Sequence, residues 1–249
     1  MTEASALASP DLEQRHVVVV GGGSGIGKAV AMQAAGGGAR MTIASRSIEK
    51  LNASAADIGD GVRVAPVDMT DEPAVAAWAT ALDPMDHLVV SASSAVHGAF
   101  DEVPVAEVRA MFDAKFFGPY TVARSVLPRL ASGGSITLFS GVLSRRPSTG
   151  TSGLSAVNSA VEGLARALAL ELGGRARVNC VSPGMVRSEA YAAMEADARD
   201  AMYRATGARL PVGRVGETAE IARAVLMTMS NGYVTGAVLD VDGGHTIGI

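Results

Sequence analysis

Seven short apolar runs alternate with longer alanine-rich stretches of helical spacing, and this alternation constrains the fold more than any other feature of the chain. HVVVV at 16–20 leads into GIGKAVAMQAA, ARMTIAS at 39–45 into IEKLNASAADIG, and VRVAPVD at 62–68 into EPAVAAWATAL. HLVVSA at 87–92, SITLF at 135–139, ARVNCVS at 176–182 and GAVLDVD at 236–242 follow. None shows the polar alternation of a strand with one wet face, so they read as parallel strands covered by helices on both sides. The expected architecture is a doubly wound α/β sheet, in which ligands bind beyond the carboxyl ends of the strands.

At 249 residues the chain lies near the upper limit at which one core still serves a domain, and no repeat, low-complexity tract or linker divides it. Residues 1–14, MTEASALASPDLEQ, are acidic and lack an apolar core, so they read as a flexible extension ahead of a domain spanning 15–249 rather than as a signal peptide or anchor. The stretch EAYAAMEADARDAMYRATGARLPVG at 189–213 interrupts the alternation before the last strand; it reads either as a cover over the cleft or as a plain surface helix.

Charge and cysteine content exclude several function classes. A net charge of -4, with Arg145 and Arg146 as the nearest thing to a basic cluster, argues against a nucleic-acid partner. The single cysteine, Cys180, allows neither an internal disulfide nor a thiolate metal site and reads as a buried inert thiol. Four scattered histidines form no metal constellation, so no metal is expected. No apolar run approaches the roughly 18 residues of a membrane span, so a cytoplasmic protein with no membrane partner is expected. A GxSxG nucleophile elbow is absent, which disfavours acyl transfer.

Strand, turn and helix meet at VVVVGGGSGIGKAV, residues 17–30. Gly21 permits a tight turn, Gly25 lets backbone approach a pyrophosphate, and Gly27 admits close helix packing, while the helix start offers unpaired N–H groups to the anion. Dinucleotide binding follows. The second strand ends in TIASRS, where an acid would accept a ribose 2′-hydroxyl; Ser45 stands there and Arg46 follows. Arg46 suits a 2′-phosphate, with Ser45 and Ser47 as short donors, so NADP(H) is favoured over NAD(H). Asp68 in VDMT reads equally as an acceptor for the adenine amino group or as a helix cap.

Together GGGSGIG at 21–27, VDMTD at 67–71, RVNCVSPGMV at 177–186 and VTGAVLDVDGG at 234–244 resemble the short-chain dehydrogenase/reductase family over nearly the whole chain from about residue 15. The resemblance implies one Rossmann-type domain of seven parallel strands, a homodimer or homotetramer, and hydride transfer between a nicotinamide and a carbonyl or alcohol. It adds Ser24, Ile26, Met69, Ala92, Pro183, Gly184 and Val186 to the residues expected around the cofactor. The family works with an Asn, Ser, Tyr and Lys tetrad. Here the tyrosine position falls on Leu154, the lysine on Asn158, the serine on Gly141 with Ser140 just before it, and the asparagine on Lys115. The fourth strand ends in VSAS, Val90 to Ser93, where the family has Asn-Asn-Ala-Gly, and Val20 stands in place of a threonine.

The usual proton route is therefore not expected in this chain. Lys115 and Asn158 carry the family's lysine and asparagine in exchanged places, which makes Lys115, with Asn158, Ser140 and His97, the candidates for handling a proton; Tyr191 is a further one. Three functions compete: an atypical NADP(H)-dependent oxidoreductase acting on a small-molecule carbonyl or alcohol of unknown identity, a catalytically silent NADP(H)-binding sensor or structural protein, and a non-redox enzyme on the same scaffold.

Overall fold

Four valines in succession leave no wet face, and β1 (His16–Val20) is buried along its whole length. The computed structural model describes residues 12–91 and 95–248. After β1 come α1 (Gly25–Gly36), β2 (Arg40–Ser45), α2 (Ile48–Ile58), β3 (Arg63–Pro66), α3 (Glu72–Ala81) and β4 (Met85–Val90). A helix then runs through α4 (Val105–Phe112), a π turn at Asp113–Phe117 and α5 (Gly118–Val126). The second half contains β5 (Leu130–Phe139), α6 (Ser152–Glu171), β6 (Ala176–Pro183), β7 (Val186–Arg187), α7 (Ala196–Gly207), β8 (Gly216–Glu217), α8 (Thr218–Ser230) and β9 (Val238–Val241).

The main sheet has seven parallel strands in the order β3-β2-β1-β4-β5-β6-β9. Along β1 the valines alternate between layers: Val18 and Val20 join a core with Leu88, Val122 and Val161, whereas Val17 and Val19 pack with Val30, Ile221 and Val225 on the other face. Strand order reverses between β1 and β4, so a crevice opens beyond Val20 and Val90, where such sheets bind ligands. At its floor the Ser91 amide donates to the Val20 carbonyl at 2.8 Å.

Side-chain caps start α2 and α3: Ser47 accepts from the Lys50 amide ahead of α2, and Asp71 from the Ala74 amide ahead of α3. β5 begins five residues before the SITLF run, because Gly133 and Gly134 conceal its first half. Gly134 is required there by approach, since a Cβ would lie 2.5 Å from the Asp86 carbonyl oxygen. The small pair β7–β8 was not expected from the apolar pattern. Packing also begins earlier than residue 15: Leu12 is buried in the core, and the Gln14 amide donates to the Gly38 carbonyl. Most of the expected N-terminal extension, 1–11, lies outside the described residues.

Candidate functional site

The glycine loop forms a close-packed turn at the carboxyl end of β1. Gly21 has φ of 90°, and a Cβ on it would lie 2.3 Å from the Ser91 carbonyl oxygen. A Cβ on Gly27 would meet the Gly21 carbonyl oxygen at 2.2 Å, so the loop cannot accept side chains at either place. Ser54 of α2 braces the turn by donating to the Gly22 carbonyl at 2.8 Å. Ser24 occupies the N-cap of α1, yet its hydroxyl makes no capping bond. The anion at this helix start comes from elsewhere: Glu189 Oε2 accepts from the Gly25 amide at 2.9 Å. Ile26 turns its side chain towards the core that backs α1.

At the ends of β2 and β3, Arg46 is exposed and close enough to Asp68 to help hold its carboxyl below the ordinary range, after the larger effect of the Thr70 amide. Asp68 Oδ1 accepts from both the Thr70 amide and hydroxyl, at 3.0 and 2.8 Å, while Asp71 caps the following helix. Ser45 lies beside Gly23, with its Oγ 3.1 Å from where a Cβ there would be. Ser47, expected as a free donor, gives its hydroxyl proton to Glu49 and accepts from the Lys50 amide. The Met69 side chain packs against Gly118, leaving no room for a Cβ on that glycine. Val186 is buried in the second core layer, and Gly184 lies so near Asp242 that a Cβ would meet its Cα at 2.8 Å. Pro183 closes β6 opposite Val241. Ala92 and Ser93 lie outside the described residues.

Beyond the end of β5, two helices converge on one turn of backbone. Lys115 sits in the π turn, an irregularity that often accompanies functional sites. Its Nζ donates to the Ser140 carbonyl at 3.3 Å, and Asn158 Nδ2 donates to the Gly141 carbonyl at the same distance. Lys115 is only 9% exposed, and burial brings its ammonium down to about 8. Asn158 Oδ1 is buried with no hydrogen-bond partner among the described residues. Gly141 is fitted to this asparagine: a Cβ would approach Asn158 Nδ2 to 3.1 Å.

The Ser140 side chain is engaged within the protein. Its hydroxyl donates to Glu162 Oε1 at 3.1 Å, and the Ser144 hydroxyl reaches the same oxygen at 2.5 Å. Glu162 is itself buried, with Arg145 and Arg166 at 3.8 and 3.9 Å from Oε2. Arg145 also pairs with Asp240, and Arg146 donates to the His245 and Gly248 carbonyls, so both arginines are engaged within the protein. Glu162, one turn beyond Asn158 on α6, was missed; its i+4 spacing was the available signal. Glu189 was missed too, and nothing local to it points to Gly25.

The other candidates are placed as follows. Leu154 is buried in an apolar cluster with Met111 and Val157, packed by Val108, Phe112 and Leu143. His97 is exposed on the loop after β4 and makes up no cluster with Lys115 among the described contacts. Tyr191 is packed edge-on against Tyr203 at 5.8 Å, and burial with that neighbour raises its phenol above the ordinary range. Burial pushes the Cys180 thiol up to about 11, in keeping with an inert thiol. Among the described residues no His, Cys, Asp and Glu group could hold a metal, and no helix is long and apolar enough to cross a membrane. The segment at 189–213, read from sequence either as a cover or as a plain surface helix, contains a short turn at Glu189–Tyr191 followed by α7.

The described residues fit a dinucleotide. The loop at Gly21 and Gly27 is a tight turn with no room for side chains, the first turn of α1 carries N–H groups towards an anion, and Arg46 follows the end of β2. A family model described as "Enoyl-(Acyl carrier protein) reductase" matches residues 21–246. A galactitol 2-dehydrogenase (L-tagatose-forming) of Cereibacter sphaeroides is 36% identical, with 95% of this chain and 96% of that protein covered. A small-chain dehydrogenase solved in complex with NADPH is 38% identical, with TM-score 0.80 and coverage of 95% of this chain and 100% of the other. The NADPH-bound short chain oxidoreductase from Pseudomonas aeruginosa PAO1, described as containing an atypical catalytic center, is 30% identical with TM-score 0.89, covering 95% and 98%.

Proposed function

Because this chain belongs to the short-chain dehydrogenase/reductase family, we propose that it is an NADP(H)-dependent oxidoreductase acting on a small carbonyl or alcohol, with Lys115 handling the proton that a tyrosine handles elsewhere in the family. The observation that carries this reading is the buried ammonium of Lys115, lowered by its surroundings to about 8 and held on the Ser140 carbonyl. An amine with that value exchanges its proton near neutral pH, where general acid and base groups are most effective.

The nicotinamide, when bound, supplies or accepts the hydride. Lys115 then has two tasks: below pH 8 its charge draws electron density onto the substrate oxygen, and its proton moves from Nζ to that oxygen as the alcohol forms. Burial favours the neutral amine that remains, and solvent returns the proton. Asn158 Oδ1, buried and unpartnered, suits a hydroxyl of the nicotinamide ribose, a contact that would satisfy it. Arg46 favours the 2′-phosphate of NADP(H) through a charge-assisted bond. Leu154 offers only methyl groups, which favours an apolar flank on the substrate.

The apolar cluster around Leu154, and a Lys115 Nζ already engaged with Ser140, favour a second reading in which the protein binds NADP(H) without turnover. Titration of NADPH followed by absorbance assays over a panel of carbonyls and alcohols separates the two. Turnover that Lys115→Met abolishes supports the first reading. Stoichiometric binding with no turnover supports the second, and unchanged cofactor affinity and turnover in Lys115→Met would reject the role of Lys115.

A further inference from the structure

The start of α1 is occupied by a carboxylate of the chain itself. Gly25 is the first residue of this 12-residue helix, and Ser24 before it makes no side-chain cap. No acidic residue lies in the first turn. Glu189, 164 residues away in sequence, supplies the missing anion by accepting from the Gly25 amide at 2.9 Å. It opens the short turn at Glu189–Tyr191, immediately after Arg187 and Ser188.

We infer that Glu189 is an autoinhibitory latch: in the cofactor-free protein its carboxylate holds the Gly25 amide, and binding of the dinucleotide pyrophosphate requires it to leave. This rests on the dinucleotide reading above. Two anions cannot share one N–H donor, and at a helix start with a single aligned set of amides their charges repel. Glu189 has somewhere to go. A cavity of about 440 Å³ lies beside the contact, and its lining includes Gly25, Lys28, Arg187, Glu189 and Arg199. Lys28 is paired with Asp57 and Arg187 with Asp200, so the released carboxylate would meet Arg199 on α7.

The turn that carries Glu189 is tied to α7. Tyr191 packs edge-on against Tyr203, and the Arg187 guanidinium lies 4.5 Å above the same ring. Displacing Glu189 therefore acts on the segment 187–203 rather than on one side chain. The latch couples occupation of the glycine loop to the position of the segment that lies over it, a population shift in which the ligand competes directly with an internal contact.

Glu189→Gln keeps the size of the side chain and removes its charge; Glu189→Ala removes the acceptor. The side chain is exposed, so neither change opens the core. In the cofactor-free protein, hydrogen exchange at the Gly25 amide, followed by NMR, is expected to quicken in Glu189→Ala, which loses the acceptor, and less in Glu189→Gln, whose amide oxygen still accepts. Calorimetric titration with NADPH is expected to show binding tighter by about two- to fivefold, the value of one anion at a helix terminus. Unchanged exchange at Gly25 overturns the latch whatever the cofactor does. Equal or weaker NADPH binding by both variants overturns the competition, while a wild-type chain and variants that all fail to bind NADPH overturn the dinucleotide reading and the competition with it.

Discussion

Lys115 and Asn158 donate to consecutive backbone carbonyls, those of Ser140 and Gly141, each at 3.3 Å. The two side chains come from different helical segments, the π turn at Asp113–Phe117 and α6, and they meet just beyond the end of β5. An ammonium and an amide thus donate to carbonyls one peptide apart, with no carboxylate among the described residues bonded to either. That arrangement leaves Lys115 lowered in pKa by burial instead of raised by an ion pair.

Replacing Lys115 by Met is expected to lower hydride transfer on the order of 10²–10⁴-fold. In the wild type, reduction should decline as pH rises through about 8 and the reverse oxidation should rise over the same range, because reduction needs the ammonium and oxidation the free amine. Rates measured in both directions between pH 6 and about 10 test this.

The same variant should be more stable. Folding lowers the Lys115 value from 10.5 to about 8, so the unfolded chain binds the extra proton between those values. This site therefore makes stability rise with pH across that window, and at neutral pH it carries a burial penalty of up to about 3 kcal/mol that Met lacks. Chemical denaturation at pH 7 should show Lys115→Met unfolding at higher denaturant, and a lower midpoint would contradict the assignment.

Gly141→Ser is expected to destabilise the chain modestly, since its Cβ would lie 3.1 Å from Asn158 Nδ2 and the asparagine amide would have to give by a few tenths of an ångström. Trimming Asn158 to Ala in the same chain should relieve the contact. A double-mutant cycle of denaturation midpoints should then show coupling above about 0.5 kcal/mol; additive effects would mean that the two positions are independent.

Arg46→Ala should weaken NADPH by roughly 10- to 100-fold and leave NADH nearly unchanged, which is the size of one charge-assisted hydrogen bond. Dissociation constants for both cofactors with both proteins measure it, and parallel losses would remove the 2′-phosphate role.

His87 should make the fold sensitive to acid. Its Nδ1 lies 2.9 Å from the Ser135 hydroxyl, and burial lowers the ring to about 4. The unfolded ring binds a proton at about 6.5, so stability falls as pH drops from 6.5 towards 4, by roughly 3 kcal/mol in all. The urea midpoint of the wild type should fall relative to that of His87→Gln as pH drops through that window.

Much of the scaffold was legible because its signals are local. Val17 to Val20 announced a strand buried on both faces, and Gly21 and Gly27 announced a turn that the Ser91 and Gly21 carbonyls leave no room to decorate. That Lys115 and Asn158 donate to neighbouring carbonyls could not be read from the sequence, which offered only an exchange of residue types as an expectation. Side-chain commitments were not: Ser140 and Ser47 look alike in sequence as free hydroxyls, yet one donates into buried Glu162 and the other closes a helix cap.

By itself, then, the sequence determined the doubly wound sheet, the order of its motifs and the glycine cradle, because hydrophobic period and glycine geometry act within a few residues. Only the tertiary structure decided that Glu189 reaches Gly25 across 164 positions, that Glu162 accepts from the Ser140 hydroxyl, and that Leu154 is enclosed by apolar neighbours. Those outcomes depend on which helices pack at the ends of β5 and β6, and burial there sets the charge and the hydrogen-bond partners that no local pattern encodes.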